Sequence, residues 1–322
     1  MPSLVKLTPT LFPEVHEHLL RKLDPNMPVT RWQATLDGRW HQDDCVGYAL
    51  IEQGRPVGML GMLFSEREIG GRTARFCNLH SWYVEPEHRA SSLLLMRPAL
   101  AAREHTLTDL SPSRRVVEIS RRLGFETLEQ TITMLPWLPW QGGDAAEVLE
   151  LAPDDPRAAR LLSPADLRVF RDHQGIDCRH WLVLDRGEYC YLVSSRLRHP
   201  RFGYSYLHHV SRPRLLARHH AAVRTRMLQG GLRCVAVCTR LLDGVRVPFS
   251  LTTRTNEKLF RPAGVPAAQV DTLYSELVLL KLPQEFRMVT RMGGALRRLG
   301  LRRRGTSDMA WLYGLGMLPP PM

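Results

Sequence analysis

Residues 78–93 read Asn78-Leu-His-Ser-Trp-Tyr-Val84 followed by Glu85-Pro86-Glu87-His88-Arg89-Ala90-Ser91-Ser92-Leu93, a strand-like run breaking into a turn of small residues. Thr106-Leu-Thr-Asp-Leu-Ser111 supplies a second strand, and a helical segment then closes in Ser120-Arg-Arg-Leu-Gly124-Phe125. A small-residue turn that follows a strand and opens a helix leaves backbone N–H groups without intrahelical partners, and the helix dipole makes that end attractive to anions. Arg89 adds a guanidinium able to pair with phosphate oxygens, while Ala90, Ser91 and Ser92 keep the backbone approachable.

Upstream, Val46-Gly-Tyr-Ala-Leu-Ile51 and Val57-Gly-Met-Leu-Gly-Met-Leu-Phe64 read as two strands joined by a tight turn carrying Gly54 and Pro56. Leu11 to Leu23 has the apolar spacing of a first helix.

This order of helix, hairpin, strand, turn, helix, strand and a helix ending on Gly-Phe resembles the acyl-CoA-binding half of the GNAT N-acetyltransferase superfamily. The family pattern Val-x-Pro-x-x-Arg-Gly-x-Gly-x-Gly/Ala is met by Val84, Pro86 and Arg89, whereas Ala90, Ser91, Ser92 and Leu94 stand where small residues and glycines usually lie. Pro98 is expected to kink the following helix. The resemblance covers residues 1 to about 135 and implies an α/β (α+β) fold, a mixed, mostly antiparallel sheet flanked by helices, with a splayed strand admitting the co-substrate.

By that resemblance Trp82, Tyr83, Val84, Arg89, Ala90, Ser91, Ser92, Leu93 and Ser113 hold acetyl-CoA or another acyl-CoA. A small amine or amino sugar then attacks the thioester directly in a ternary complex. The family's usual tyrosine acid, four residues before Gly-Phe, is here Ser120, and the asparagine seven residues earlier is Ser113. His80, a neutral-pH titrator on the strand expected to face the acceptor, is the candidate base, with Glu85, Glu118 and Tyr83 nearby in sequence.

One such domain needs roughly 150 residues, and the chain has 322. A second copy is the simplest answer. A helical stretch at 161–174 precedes Trp181-Leu-Val-Leu184, Asp185-Arg-Gly187 and Tyr189-Cys-Tyr-Leu-Val193, which repeat the hairpin, and Tyr204 to Val210 repeats the strand before the turn. The run 215–229 stands where the first helix after the turn stood, and Cys234-Val-Ala-Val-Cys238 is the next strand. Thr255 to Val265 echoes the segment ending at Gly124-Phe125, and Leu277 to Pro283 echoes Thr131 to Pro136. The expected layout is a GNAT-like domain over 1–140, a linker over 141–156, a degenerate copy over 157–285 with Leu215, Leu216 and Ala217 in place of a cradle, and a basic extension over 286–322.

Composition fits a soluble, cytoplasmic protein: 44% hydrophobic and 24% charged residues, with no long apolar run and no signal-peptide pattern. Cysteines 45, 77, 178, 190, 234 and 238 form no CxxC pair and read as reduced, buried thiols. Residues 1–150 hold 16 Lys+Arg against 19 Asp+Glu, residues 151–322 hold 28 against 13, so the net charge of +12 belongs to the second half. Arg287, Arg291, Arg297, Arg298, Arg302, Arg303 and Arg304 would suit an anionic surface partner, although a charge run is more often a solvated face. His208, His209, His219 and His220 invite a metal reading, but adjacent strand residues point to opposite faces, so no metal is expected.

Two readings stand at this level. One is an acyl-CoA-dependent N-acyltransferase whose N-terminal copy is active. The other is a non-catalytic binding or scaffold protein in which both copies have decayed, to which the missing glycines point.

Overall fold

The computed structural model describes residues 1–40, 45–138 and 146–286. Twelve strands run through the described residues: β1 (Ser3–Leu7), β2 (Gly47–Glu52), β3 (Arg55–Ile69), β4 (Arg72–Val84), β5 (His105–Asp109), β6 (Glu126–Pro136), β7 (Glu147–Leu151), β8 (Arg179–Asp185), β9 (Glu188–His199), β10 (Phe202–Val210), β11 (Cys234–Cys238) and β12 (Leu251–Arg261).

The chain divides into two compact units, and neither is a contiguous half. One unit holds Met1–Gln130, Pro153–Cys178 and Asn256–Leu282; the other holds Thr131–Ala152, Arg179–Thr255 and the described residues from Pro283. Each contains a six-strand series, β1-β2-β3-β4-β5-β12 in the first and β7-β8-β9-β10-β11-β6 in the second. The halves have exchanged their last strands: β12 pairs with β5 through Leu259↔Asp109, and β6 pairs with β11 through Ile132↔Cys238 to Pro136↔Cys234.

The contiguous boundaries expected from sequence therefore do not describe the units, and the expected linker contains β7, paired antiparallel with β8. Residues 141–145 of that linker, and the basic extension beyond Phe286 with all its arginines, lie outside the described residues. The counterpart of β6 is β12 rather than Leu277 to Pro283, whose only regular structure is the short helix Glu276–Leu279.

Both series are antiparallel except for one internal parallel pair, β4 with β5 in the first and β10 with β11 in the second. The β2–β3 hairpin turns on Gln53-Gly54 at φ +51° and +77°, and β8–β9 on Arg186-Gly187 at +47° and +84°. Two successive left-handed residues make the turn whose twist matches the flanking strands, and glycine takes the second place at no steric cost.

In the first unit Leu50, Leu60, Cys77, Leu79, Leu107 and Leu259 build one core. Leu7, Leu19, Leu20 and Trp32 bring the N-terminal helical segment, Phe12 to Leu23 with a π turn over His16–Leu20, against the sheet's other side strands. In the second unit Leu215, Leu216 and Ala217 are buried in the core with Tyr206, Val235 and Val237. The helix Pro213–Arg218 thus fills the place where a cradle would lie. Each buried leucine is worth about 1.5–3 kcal/mol.

Candidate functional site

In the first unit the parallel pairing of β4 and β5 stops at Leu79↔Asp109, yet β4 continues to Val84. From His80 onward its backbone faces an opening in place of a neighbour. On the other side, β4 and β3 slip register between Met59↔Tyr83 and Gly61↔His80, a bulge centred on Ser81, which holds φ +52°. A bulge bends its strand and re-aims side chains, and a non-glycine residue at positive φ marks a constrained site. The second unit repeats the device: β10–β11 pairing ends at Leu207↔Val237, and the β9–β10 register slips between Leu207 and His209.

Two cavities meet at this splay. The first, about 470 Å³, is lined by Trp82, Tyr83 and Val84 of β4, by Arg89, Ala90, Ser92 and Leu93 after it, and by Ser113 and the following helix. Ser91 is not among its lining residues. Ser113 caps the helix Arg114–Arg122, its Oγ accepting from the N–H of Val116 at 3.4 Å. That helix adds two cations, Arg115 and Arg122, which share the helix face of Ile119 toward the cavity.

The turn differs from the small-residue cradle expected. Pro86–Leu95 is one ten-residue 3₁₀ helix, so the N–H groups of Ala90 to Leu93 lie inside a helical hydrogen-bond series. No residue in it takes positive φ. Without the glycines the backbone stays in ordinary helical geometry, and Arg89, Arg115 and Arg122 are the cations among the described residues that line this cavity. Pro98 does not kink a helix; it falls in the first turn of Met96–Ala101, where a missing N–H is tolerated.

The second cavity, about 230 Å³, shares Trp82, Ser113 and Val116 with the first and is lined also by His80, Ser120, Asp109, Ser111 and Glu276. Both candidate catalytic residues are therefore in one wall. His80 is 4% exposed, its Nδ1 sits 3.0 Å from Ser81 Oγ, and its Nε2 is buried with no partner among the described residues. The ring occupies the space over Gly61, where a Cβ would come within 2.2 Å of it. Burial lowers its pKa to about 3, so the ring is neutral and a poor base near pH 7. Ser120 is 2% exposed. Glu85 is held by Lys22 at 2.5 Å and Arg55 at 2.8 Å, and it is not among the residues lining either cavity.

Sequence reasoning missed the carboxylates. Glu276 accepts from Ser111 Oγ at 2.6 Å and from Asn78 Nδ2 at 2.5 Å, and Asn78 Oδ1 accepts in turn from Thr108 at 3.0 Å. Burial, with Glu276 beside it, raises the pKa of Asp109 well above the carboxylate range, and burial raises that of Glu276. The pair thus retains a proton at pH values where ordinary carboxylates have lost theirs. Asp109 could have been found as an acidic residue ending a buried strand; Glu276 carries no local signal, because only the return of the chain after β12 brings it here.

The four suggestive histidines are spent within the second unit: His208 on Ser195 at 3.0 Å, His209 against Tyr191, His219 on Asp185 at 3.1 Å and His220 on Arg224. All six cysteines are free thiols, and Cys178 is only partly buried. Among the described residues no helix is long and apolar enough to cross a membrane.

No family model matches the sequence, and no curated protein matches it. Solved structures do. A GCN5-related N-acetyltransferase from Anabaena variabilis superposes at TM-score 0.55 with 11% identity over 83% of this chain and 74% of that one. A probable N-acyltransferase from Enterococcus faecalis gives 0.57 with 9% identity over the same shares, 83% and 74%. A GCN5-related N-acetyltransferase from Kribbella flavida gives 0.52 with 16% identity over 83% and 73%. With the splayed parallel pair and its bulge present in both units, the chain has the fold of the GCN5-related N-acetyltransferases, in tandem.

Proposed function

We propose that the first unit is an acyl-CoA-dependent N-acyltransferase acting on a small amine. The observation that carries this reading is the meeting of two cavities at the unpaired edge of β4, with Trp82 in the wall of both. The larger takes the acyl-CoA: Arg89, Arg115 and Arg122 face its phosphates, and Tyr83 and Val84 offer backbone to the extended pantetheine arm. The smaller takes the acceptor.

The amine nitrogen attacks the thioester carbonyl, forming the C–N bond as the C–S bond breaks. Charge developing on the carbonyl oxygen is met by a backbone N–H of the bulged segment 81–83 and by the indole Nε1 of Trp82, which is buried with no partner in the described residues. The proton shed by the amine passes to the Asp109–Glu276 pair, whose raised pKa values make them stronger bases than ordinary carboxylates once ionised. The leaving thiolate takes its proton from water, since Ser120 is too weak an acid. His80, neutral, positions the amine through Nε2.

The second unit keeps the fold and fills its own cleft with Leu215, Leu216 and Ala217, so it serves as the supporting copy. The test is acyl transfer from acetyl-CoA and longer acyl-CoAs to a panel of amines, followed as free thiol. Release of thiol that depends on the amine supports the reading. A folded protein that releases none with any pair of substrates returns the chain to the non-catalytic binding reading.

A further inference from the structure

We infer that the acceptor is a compact primary amine on an apolar body, bound as its ammonium by Asp109, Glu276 and the open Nε2 of His80. The inference deepens the acyl-transfer reading of the same cavity and rests on it for the identity of the acceptor side.

Three independent observations carry it. An ammonium has three N–H donors, and the cavity wall offers two carboxylates and one ring nitrogen that is buried and without a partner among the described residues. A buried polar atom without a partner is costly, and a ligand donor is what it lacks.

The second observation is charge. Among the described residues that line the cavity there is no lysine, arginine or other histidine, and Asp24 adds a further acid. Lys258, buried on β12, acts on Glu276. No cation is among the causes that set the pKa of Asp109, where the neighbouring Glu276 is the charge that acts. Burial and the neighbouring Glu276 carboxylate raise the pKa of Asp109, and an ammonium seated between the two acids would relieve that repulsion. An acceptor bearing a carboxylate or phosphate would find only like charge.

The third is shape. Beyond the acids one side of the wall is apolar, Met27, Trp32, Leu60, Met96, Leu280 and Leu282, while the other carries four serines, of which Ser81, Ser111 and Ser113 already bond His80, Glu276 and the Val116 N–H. At about 230 Å³ the cavity holds roughly eight waters, or a body of about ten heavy atoms. With those three serines spent, a polyhydroxylated amino sugar would leave most of its hydroxyls unpartnered, whereas an alkyl or arylalkyl chain would gain from the apolar side.

The experiment is calorimetric titration of the full chain, with and without saturating coenzyme A, using 2-phenylethylamine, its neutral isostere 2-phenylethanol, phenylalanine and glucosamine. Buffers of different ionisation enthalpy report the proton released. The expected result is that the amine binds at least tenfold more tightly than each of the other three and releases a proton on binding. Glu276→Gln should weaken the amine at least tenfold and reduce that release, while leaving the alcohol unchanged. Equal binding of amine and alcohol, a preference for phenylalanine or glucosamine, or no amine binding in either condition overturns the proposal, and this series on the native chain needs no variant to fold. Amine binding to a protein that binds no acyl-CoA would uphold the cation site and remove the acyl-transfer reading; acyl transfer to glucosamine without amine preference would do the reverse.

Discussion

Glu276 accepts a 2.5 Å hydrogen bond from Nδ2 of Asn78, joining two residues 198 positions apart in sequence. Asn78 lies on β4 just before the splay, so the segment that follows β12, the last strand of the first unit, completes the wall of that unit's cavity. The segment is anchored by Arg67, which grips Asp271 through bonds of 2.7 and 2.5 Å, and by the Tyr274 hydroxyl on Asp172 at 2.7 Å.

Breaking that anchor should be felt at the site. Arg67 and Asp271 side chains are 12% and 4% exposed, and removing one partner of so buried a pair costs about 3–5 kcal/mol. Arg67→Ala is expected to lower stability by that order and to lower turnover as Glu276 loses its position. Denaturant unfolding and the kcat of the surviving folded fraction check both.

The carboxylate pair should dominate the chemistry. Asp109→Asn and Glu276→Gln are each expected to lower kcat by roughly two to four orders of magnitude with acyl-CoA affinity kept, and His80→Ala by less. In a pH–rate profile the acid limb should lie above the ordinary carboxylate range, because the base form appears only above the raised pKa values. An acid limb that vanishes in His80→Ala while persisting in Asp109→Asn would assign the base to histidine.

Much of this arrangement was legible in the chain. Asn78 to Val84, Glu85 to Leu93 and Ser113 to Phe125 announced the strand, turn and helix that line the larger cavity, and the paired hairpins at Gln53-Gly54 and Arg186-Gly187 announced the second copy. What stayed hidden depended on long-range pairing. β12 resembles no separate signal for an exchanged strand, since pairing with β5 and pairing with β11 ask for the same apolar pattern. The 3₁₀ path of Pro86–Leu95 was hidden because small residues permit a cradle as readily as a tight helix; only glycine would have forced the matter.

His80 should also leave a mark on stability. Its pKa is about 3 in the folded protein against an ordinary value of about 6.5, so below pH 6.5 the unfolded chain binds the extra proton. Stability contributed by the neutral ring is present above pH 6.5 and is lost as pH falls toward 3. In His80→Asn, the slope of unfolding free energy between pH 4 and 6 should be shallower by about 1.4 kcal/mol per pH unit. An unchanged slope would show that the ring is solvated.

Gly61 makes room for that ring. Gly61→Ala puts a methyl group where the imidazole stands, 2.2 Å from its Cε1, and should cost about 1–3 kcal/mol while displacing His80. A crystal structure of the variant with His80 unmoved would contradict it.

The arginines of the cavity lined by Trp82, Tyr83, Val84 and Arg89 should hold acyl-CoA. Titration calorimetry of acetyl-CoA into the full chain and into Arg89→Glu tests it most directly. Saturable one-to-one binding is predicted for the native protein, weakened by about 1–3 kcal/mol in the variant through loss of a charge-assisted contact. No binding of acetyl-CoA or longer acyl-CoAs to the folded native chain, or equal affinity in folded Arg89→Glu, would contradict it.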